Sequence, residues 1–292
     1  MVVGSSLSVL RQSERINTHF ALQTKFCKKL GCGGNLLNYT ENIMSYSSFA
    51  SVYDSLTFNV DYEKRAEYIV EILKQNNIND GLLLDLACGT GSLSIEFSKK
   101  GYEVIATDAS ADMLMEAQNK AFSEGLNIMF LCQKMQETDL YGTVGAVVCS
   151  LDSINHLRNA KEMEKTFRVL KNFVDDGGIM IFDVNTLYKH QKILGNNTFV
   201  YDEKNVYCVW QNKLYDDQKT VGINLDFFVK EGDSYQRFNE NFKEIAFTDE
   251  EITSAVEKAG FKVLNRYDEF TFDPPSGDTE RVYYVIRREY NG

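Results

Sequence analysis

The sequence lacks the cysteine and histidine spacings that hold structural zinc. It has six cysteines, none of them in a C-x-x-C pair, and three scattered histidines. Because zinc sites draw their ligands from short, regular spacings, no metal site is predicted. The unpaired cysteines favour a reducing compartment, so we expect a cytoplasmic protein. Cys88, Cys132 and Cys149 each end an apolar run, and we expect small buried thiols there.

Long apolar runs and an excess of positive charge are also missing. No apolar stretch approaches the roughly 18 residues that a membrane helix requires, and the N-terminus lacks the apolar core of a signal peptide. Lys and Arg number 31 against 42 Asp and Glu, which gives a formal net charge of −11. Phosphate backbones and anionic lipids attract clustered positive charge. We therefore expect neither nucleic acid nor a membrane as a partner.

Residues 1–43 do not share the pattern of the rest of the chain. They mix Ser, Asn, Lys and a Gly-rich GCGGN stretch without a helical or strand period. Two interpretations are open: a poorly ordered extension, or a segment that is not native, with translation beginning at Met44. The second is favoured, and mass spectrometry of the native N-terminus separates the two.

From Met44 onward, amphipathic helices alternate with short, almost wholly apolar strands. The first helix is expected over 61–75, and Ser110 and Thr248 are placed to cap two later helices. Strands are predicted over 81–87, 102–108, 127–132, 144–151, 177–184, 261–270 and 281–289. This alternation is typical of an α/β fold with a doubly wound, seven-stranded, mostly parallel, Rossmann-like sheet.

The pattern changes after residue 195, where apolar and polar residues begin to alternate. Turn residues recur near 202–205, 216–218 and 231–234. Such alternation predicts an antiparallel meander of about four strands, inserted before the last helix and the last two strands. We predict a core over 44–195, a β-rich lid over 196–247, and the end of the core sheet over 248–292.

One specific motif lies where the first strand meets the next helix. In LLLDLACGTGSLSIEF (82–97), an apolar strand carries Asp85 and runs into Gly89 and Gly91. Glycines there permit a sharp turn and a close approach to a ligand, and the next helix presents its positive end. The following strand ends in Asp108, which is placed to accept hydrogen bonds from two ribose hydroxyls. These features predict a nucleoside site beyond the carboxyl ends of the strands, with a merely structural strand–turn–helix as the alternative.

The third glycine of a dinucleotide-binding loop is missing, because Ser94 stands in its place. Asp85 inside the strand would also repel a pyrophosphate, but it suits a ligand that carries an ammonium group. Both features disfavour a site for NAD or FAD.

With LDLACGTG and YEVIATDAS, the sequence resembles the class I S-adenosylmethionine-dependent methyltransferases over nearly all of 44–290. CSLDSINHL, GGIMIFDVNT and RFNENFKE are similar to a subgroup of small bacterial methyltransferases with a β-rich insertion. The resemblance implies S-adenosyl-L-methionine as the cofactor. It implies cofactor contacts from Tyr53, Asp85, Ala87, Gly89, Gly91, Asp108, Met113, Met135, Leu151 and Asp152.

These implied contacts divide along the cofactor. Its methionine part would lie in the loop from Asp85 to Gly91 and near Tyr53, whose ring suits a sulfonium. Asp108 would hold the ribose, and Met113 and Met135 would flank the adenine. Lys134 stands where relatives often have an Asp that contacts the adenine amino group, so a backbone amide or Gln133 is the alternative partner. Leu151 and Asp152 would meet the cofactor and the acceptor.

Three side chains are candidates for a catalytic base: His156, Tyr53 and Asp183. A hydroxyl or carbon acceptor needs a base, whereas an amine needs only to be neutral. Each candidate also has an alternative role, since Tyr53 can pack in a helix, Asp183 can anchor the lid and His156 can be satisfied by its neighbours. Asp152 can likewise cap a turn.

The lid carries its own candidates. Glu240 is either a functional carboxylate or one that faces outward. The lid aromatics, at alternating positions, are more typical of sheet packing than of acceptor contacts; they are Tyr201, Tyr207, Trp210, Tyr215 and Phe227.

The predicted function is transfer of a methyl group to a small-molecule acceptor by in-line displacement, in a monomer or homodimer. The small-molecule part rests on the acidity of the chain and on a lid that would enclose the acceptor. One alternative is methylation of protein or RNA, which requires a basic or open groove. Another is a cofactor-binding protein without catalysis, and a NAD-dependent oxidoreductase is the least favoured.

Overall fold

The computed structural model describes residues 50, 53, 54, 57 and 60–289. The predictions for 1–43 and for a start at Met44 lie outside the described residues. Among the helices of the described part, none is long and apolar enough to cross a membrane.

Sixteen helices and strands are described from Tyr62 onward. The helices are α1 (Tyr62–Gln75), α2 (Ser92–Lys99), α3 (Ala111–Ser123), α4 (Ala160–Leu170) and α5 (Asp249–Lys258). The strands are β1 (Leu82–Leu86), β2 (Glu103–Asp108), β3 (Met129–Cys132), β4 (Val144–Cys149), β5 (Val174–Asn185), β6 (Thr198–Asp202), β7 (Val206–Leu214), β8 (Thr220–Glu231), β9 (Ser234–Ile245), β10 (Phe261–Asp268) and β11 (Arg281–Arg288). Shorter helical turns cover Met135–Glu137, Ser153–His156 and Lys189–Leu194.

Seven strands form the main sheet, in the order β10-β11-β5-β4-β1-β2-β3. The pairs from β5 to β3 are parallel, and β11 runs antiparallel to both of its neighbours. The predicted seven-stranded, mostly parallel sheet is therefore confirmed. The hydroxyls of Ser110 and Thr248 cap α3 and α5, as the sequence indicated.

Helices cover both faces of this sheet, because alternate residues of each strand point to opposite sides. In β1, Leu84 and Leu86 join one apolar cluster, which also includes residues of α4 and α5. Leu83 joins the other cluster, together with residues of α1, α2 and α3. Asp85 lies on the same side of the strand as Leu83 and is the one polar side chain in β1.

A second sheet is antiparallel, with the order β6-β7-β8-β9. Its turns fall where the sequence predicted them. On β9, the even-numbered residues Phe238, Glu240, Phe242 and Glu244 are buried or half-buried, whereas the odd-numbered residues between them are exposed. We call the side of the second sheet that carries these four residues its inner face. Tyr201, Trp210 and Phe227 pack in an apolar cluster on this face, whereas Tyr207 is 38% exposed.

Because β11 is antiparallel, its first residues lie at the carboxyl ends of the parallel strands. Ligands of open α/β sheets bind beyond the carboxyl ends of the parallel strands. Since β11 runs the other way, its first residue, Arg281, pairs with Asn185 at the carboxyl end of β5. Tyr283 pairs with Asp183 in the same register. A cation from the end of the chain is thereby brought to the edge that β1, β2 and β4 supply with carboxylates.

The cysteine prediction was right for Cys149, which is fully buried, and wrong for Cys132. Cys132 is exposed because it ends β3, a four-residue strand at the edge of the sheet with a neighbour on one side only. Cys88 is partly buried in the loop after β1.

Candidate active site

The loop after β1 takes the left-handed backbone conformation at three alternating positions. The φ angles are 60° at Ala87, 56° at Gly89 and 73° at Gly91. A Cβ at Gly91 would lie 2.8 Å from the Cβ of Ala117 in α3, so close packing of helices excludes a side chain there. At Gly89 no atom lies within 4 Å of such a Cβ, so the loop borders open space on that side.

Asp108 fixes this loop to the end of β2. Its Oδ2 accepts a hydrogen bond of 2.9 Å from the Gly89 N–H, and its Oδ1 accepts one of 2.8 Å from the Ser110 N–H. Burial raises the pKa of this carboxyl. Each carboxylate oxygen can accept further hydrogen bonds. Asp108 is therefore placed between the loop and α3 and keeps acceptor capacity for a ribose.

Asp85 is deeply buried and accepts a hydrogen bond from the Ser94 hydroxyl. The residue that replaces the third glycine is thus the partner of the acid within the strand. Burial, followed by the nearby Asp108 charge, raises the pKa of Asp85 from 3.8 to about 7, and the Ser94 bond opposes that rise. An ammonium group beside Asp85 would favour its ionised form, but a cofactor contact at Asp85 stays a prediction.

We expect Asp85→Asn to change how stability depends on pH. The folded protein holds a proton on Asp85 that the unfolded chain releases near 3.8, so the wild type loses stability as pH rises from about 4 to 7. The variant has no carboxylate to ionise and should gain more than about 1 kcal/mol relative to the wild type between pH 5 and pH 8. Urea denaturation at both pH values measures the difference. If the free energies of unfolding of the variant and the wild type differed by the same amount at pH 5 and at pH 8, a raised pKa of Asp85 would be contradicted.

The helical residues Tyr53 and Asp54 lie against the loop from the N-terminal side. Asp54 accepts a 2.6 Å hydrogen bond from the Thr90 hydroxyl and pairs at 2.6 Å with Lys120 of α3. Burial raises the pKa of Tyr53, and the charges of Tyr62, Asp152 and Asp54 raise it further. Tyr53 is therefore a neutral phenol at physiological pH, near the loop and the end of β4. Sequence reasoning missed Asp54 and Lys120, because an ion pair between residues 66 positions apart leaves no local pattern.

The turn after β4 is held in a strained conformation by Asp183. Leu151 and Asp152 have φ angles of 56° and 53°, which side-chain-bearing residues rarely adopt. Asp183, fully buried at the end of β5, accepts hydrogen bonds of 2.8 Å from both of their N–H groups. It also accepts one of 2.5 Å from the Ser150 hydroxyl. The Asp183 carboxylate thus holds the turn in place through three hydrogen bonds.

Arg281 is the centre of a buried charge network at this turn. Its guanidinium pairs with Asp183, lies 2.6 Å from the Asp152 carboxylate and lies 3.3 Å from Glu269. Burial raises the pKa of Asp152, but Arg281 and Lys189 outweigh it and hold that pKa below its usual value. Arg281 was not predicted, because only the antiparallel pairing of β11 with β5 brings it here.

His156 stands where the main sheet meets the second sheet. Its exposed ring lies 5.2 Å from the ring of Phe242 on the inner face. One ring nitrogen of His156, one carboxylate oxygen of Asp152 and one of Glu244 all lie within 4.8 Å of one another. Glu244, which is 4% exposed, accepts a 3.1 Å hydrogen bond from the Asn185 side chain. We call Asp152, His156 and Glu244 the acceptor triad, because each offers an atom that can accept a hydrogen bond. The sequence indicated Asp152 and His156 and left Glu240 open between a functional and an outward-facing carboxylate, but it did not indicate Glu244. Glu240 lies on the inner face.

On the predicted adenine side, Met113 is buried in the first turn of α3, and Met135 is half-buried in the turn after β3. Gln133 donates to the Asp139 carbonyl at 2.9 Å and accepts from the Asp139 N–H at 3.1 Å. Its amide therefore closes the loop, which weakens the case for Gln133 as the partner of adenine. Lys134 is exposed.

The residues at this edge fit S-adenosylmethionine. Open space beside Gly89, the spare acceptor capacity of Asp108 and the buried acid Asp85 suit a nucleoside that carries an amino acid. When bound, the cofactor supplies a methyl group on a positively charged sulfur. By the resemblance, that methyl group is expected near Tyr53 and the turn at Leu151.

Comparison with known proteins agrees with this geometry. A family model described as a methyltransferase domain matches residues 83–178. YqeM of Bacillus subtilis (strain 168), provisionally named a methyltransferase, is 34% identical over 84% of this chain and 98% of its own length. A glycine/sarcosine N-methyltransferase of Halorhodospira halochloris is 24% identical over 87% of this chain and 91% of its own length. The crystal structure of an S-adenosylmethionine-dependent methyltransferase from Clostridium acetobutylicum ATCC 824 is similar with a TM-score of 0.76 and 34% identity, covering 84% of this chain and 99% of that one. This chain therefore belongs to the class I S-adenosylmethionine-dependent methyltransferases.

Proposed function

We propose that this enzyme methylates a small molecule held between the carboxyl edge of the main sheet and the inner face of the second sheet. The observation that carries the proposal is the acceptor triad, in which Glu244 of the second sheet comes within 4.8 Å of Asp152 and His156 of the core. A substrate that reaches the cofactor's methyl group must then lie beneath the second sheet, which acts as the lid over 196–247.

The charge of the inner face supports a small acceptor over protein or RNA. It carries Glu240 and Glu244 between phenyl rings, and nucleic acid requires the opposite charge. Glycine and sarcosine, named as acceptors of the Halorhodospira halochloris relative, are small molecules as well. Exclusion of water beneath a lid would also protect the in-line geometry that methyl transfer needs.

The chain's own residues contribute mainly by positioning, which is worth about 7–11 kcal/mol when reacting groups are well oriented. The loop from Ala87 to Gly91 and Asp108 hold the nucleoside. Asp183 and Arg281 hold the turn at Leu151 and Asp152, so the acceptor side of the site keeps one shape. Asp183 is thereby a positioning residue.

His156 is the best placed of the three predicted bases. Asp183 is fully buried and already accepts hydrogen bonds from Ser150, Leu151 and Asp152. The raised pKa of Tyr53 keeps its proton on the phenol. His156 has an exposed ring next to two carboxylates, which suit the imidazolium formed when the ring takes a proton.

Labelled methyl transfer tests the proposal. The purified enzyme is incubated with methyl-labelled S-adenosylmethionine and either a metabolite extract below a small-molecule cutoff or the protein and RNA fractions of the same extract. We expect label in the small-molecule fraction, and less of it with His156→Ala. Label only in protein or RNA would refute the proposal, as would no label in any fraction while S-adenosylhomocysteine still binds by calorimetry.

A further inference from the structure

The surroundings of Glu244 contain an unusual excess of hydrogen-bond acceptors. Asp152 and Glu244 are carboxylates, and the Oδ1 of the buried Asn185 has no hydrogen-bond partner. Nδ1 of His190 lies 2.7 Å from the Lys219 carbonyl, an arrangement that requires the proton on Nδ1. In that tautomer Nε2 is an acceptor as well.

Nε2 of His190 faces another hydrogen-bond acceptor, so a hydrogen-bond donor is required between them. Nε2 of His190 is fully buried, has no hydrogen-bond partner and lies 3.6 Å from the Glu244 carboxylate. Two acceptors face each other there, and a third, Oδ1 of Asn185, belongs to the side chain that donates to the same carboxylate. Buried polar groups are almost always satisfied, so a ligand rich in N–H groups fits this environment.

The charges lead to the same conclusion. Arg281 neutralises Asp183 and Asp152, Arg65 pairs with Glu269, and Lys189 lies close enough to Asp152 to lower its pKa. Among the described residues, the basic group that pairs with Glu244 is His190, which carries charge only when protonated. Glu244 is thus a buried carboxylate without a Lys or Arg partner, a state that is unfavourable unless a cation or proton compensates the charge.

From these observations we infer that the acceptor triad is an amine subsite, and that the methyl acceptor is a primary or secondary amine that arrives as an ammonium ion. The inference rests on the proposed function and specifies its substrate. The ammonium donates to Glu244, Asp152 and His156, with the Phe242 ring beside them as a cation–π surface. If three acceptors lie at the 4.8 Å limit, a central nitrogen is about 2.8 Å from each, which is a normal hydrogen-bond length.

The reaction then balances without another reagent. The ammonium passes one proton to His156 and becomes a neutral amine. Its lone pair forms the N–C bond to the methyl carbon while the C–S bond breaks and its electron pair stays on sulfur. The products are S-adenosylhomocysteine and an N-methylammonium ion, which keeps the positive charge opposite Glu244 until release.

A divalent metal ion is the rival occupant, since two carboxylates and an imidazole also bind transition metals. Arg281 and Lys189 beside Asp152 disfavour it, because a double charge is repelled more strongly than an ammonium ion.

Histidine ring NMR provides a test that does not depend on knowing the substrate. His156 and His190 are two of only three histidines, so ring resonances are few. The full chain, saturated with S-adenosylhomocysteine, is titrated with methylammonium, with methanol as the neutral match and with Zn²⁺ as the rival. We expect methylammonium, but not methanol, to shift the His156 ring saturably. The affinity for methylammonium should fall at least about tenfold in Glu244→Gln. It should stay unchanged in Glu203→Gln, which replaces an exposed carboxylate in the β6–β7 turn.

Several results would overturn the amine subsite. One is the absence of a saturable shift of the His156 ring resonances with methylammonium. Another is an equal shift in Glu244→Gln. A third is tight binding of Zn²⁺ that methylammonium does not displace. A transfer assay on matched pairs (glycine and glycolate, ethanolamine and ethylene glycol, glucosamine and glucose) adds a second readout. Transfer to hydroxyl members alone would refute the amine and leave the proposed small-molecule function intact. Loss of transfer to every small molecule, with label found in protein or RNA, would refute the proposed function itself.

Discussion

Replacing Arg281 with Met should lower the free energy of unfolding by about 3–5 kcal/mol, the usual effect of removing one partner from a buried ionic network. The reason is the number of carboxylates left behind. Asp183, Asp152 and Glu269 all face the guanidinium, and Asp183 is fully buried. Equilibrium denaturation in urea measures the loss.

Two further variants identify the cause. Arg288→Met removes an ion pair with the half-exposed Asp176 and a hydrogen bond to the Val174 carbonyl at the other end of the same strand, and should cost about 2 kcal/mol or less. Adding Asp183→Asn to Arg281→Met removes one uncompensated charge and should recover part of the lost stability. A loss below about 1 kcal/mol for Arg281→Met would mean that the network is not a source of stability.

The main sheet was predictable because its signals are local. Apolar runs mark β1, β2 and β4, and hydroxyl-bearing caps at Ser110 and Thr248 mark two helix starts. The glycine loop is equally local, since its glycines, its acid and the following Asp108 lie within 24 residues of one another. Alternating residues likewise placed all four strands of the second sheet and the turns between them.

The acceptor side was predictable only in part, because it is assembled from distant segments. Asp152 and His156 follow a strand and could be singled out, whereas Glu244 is one of two acids on β9, and nothing local separates it from Glu240. The choice depends on which inner-face position lies over the turn after β4. Arg281 depends on the direction of the last strand, which apolar pattern alone does not reveal. Long-range pairing therefore determines the chemistry that local pattern leaves open.

This division matters for the proposed function, since the two sides of the site are proposed to have different tasks. The predicted cofactor side consists of the loop after β1 and of Asp108 at the end of β2, an arrangement that a local motif can encode. The acceptor side joins the core to the second sheet through Asn155, whose amide donates to the carbonyls of Asn185 and Ile245. We therefore expect that a change in the second sheet can alter the proposed acceptor site without disturbing the loop after β1.

Asp108→Ala should weaken S-adenosylhomocysteine binding roughly 10- to 100-fold, because it removes charge-assisted hydrogen bonds on two sides. The ribose hydroxyls would lose their predicted acceptor. The Gly89 N–H would lose its 2.9 Å partner, so the loop predicted to border the cofactor would also lose its anchor to β2. Isothermal titration calorimetry measures the affinity directly and needs no acceptor.

Glu103→Ala is the matched control, since it removes an exposed carboxylate from the opposite end of the same strand. It should leave the affinity unchanged. Asp108→Asn should fall between the wild type and Asp108→Ala, because its amide keeps one acceptor oxygen and lacks the charge. Wild-type affinity in Asp108→Ala would show that the ribose lies elsewhere. Equal losses in the Asn and Ala variants would assign the effect to the negative charge and not to the acceptor oxygen that Asn retains.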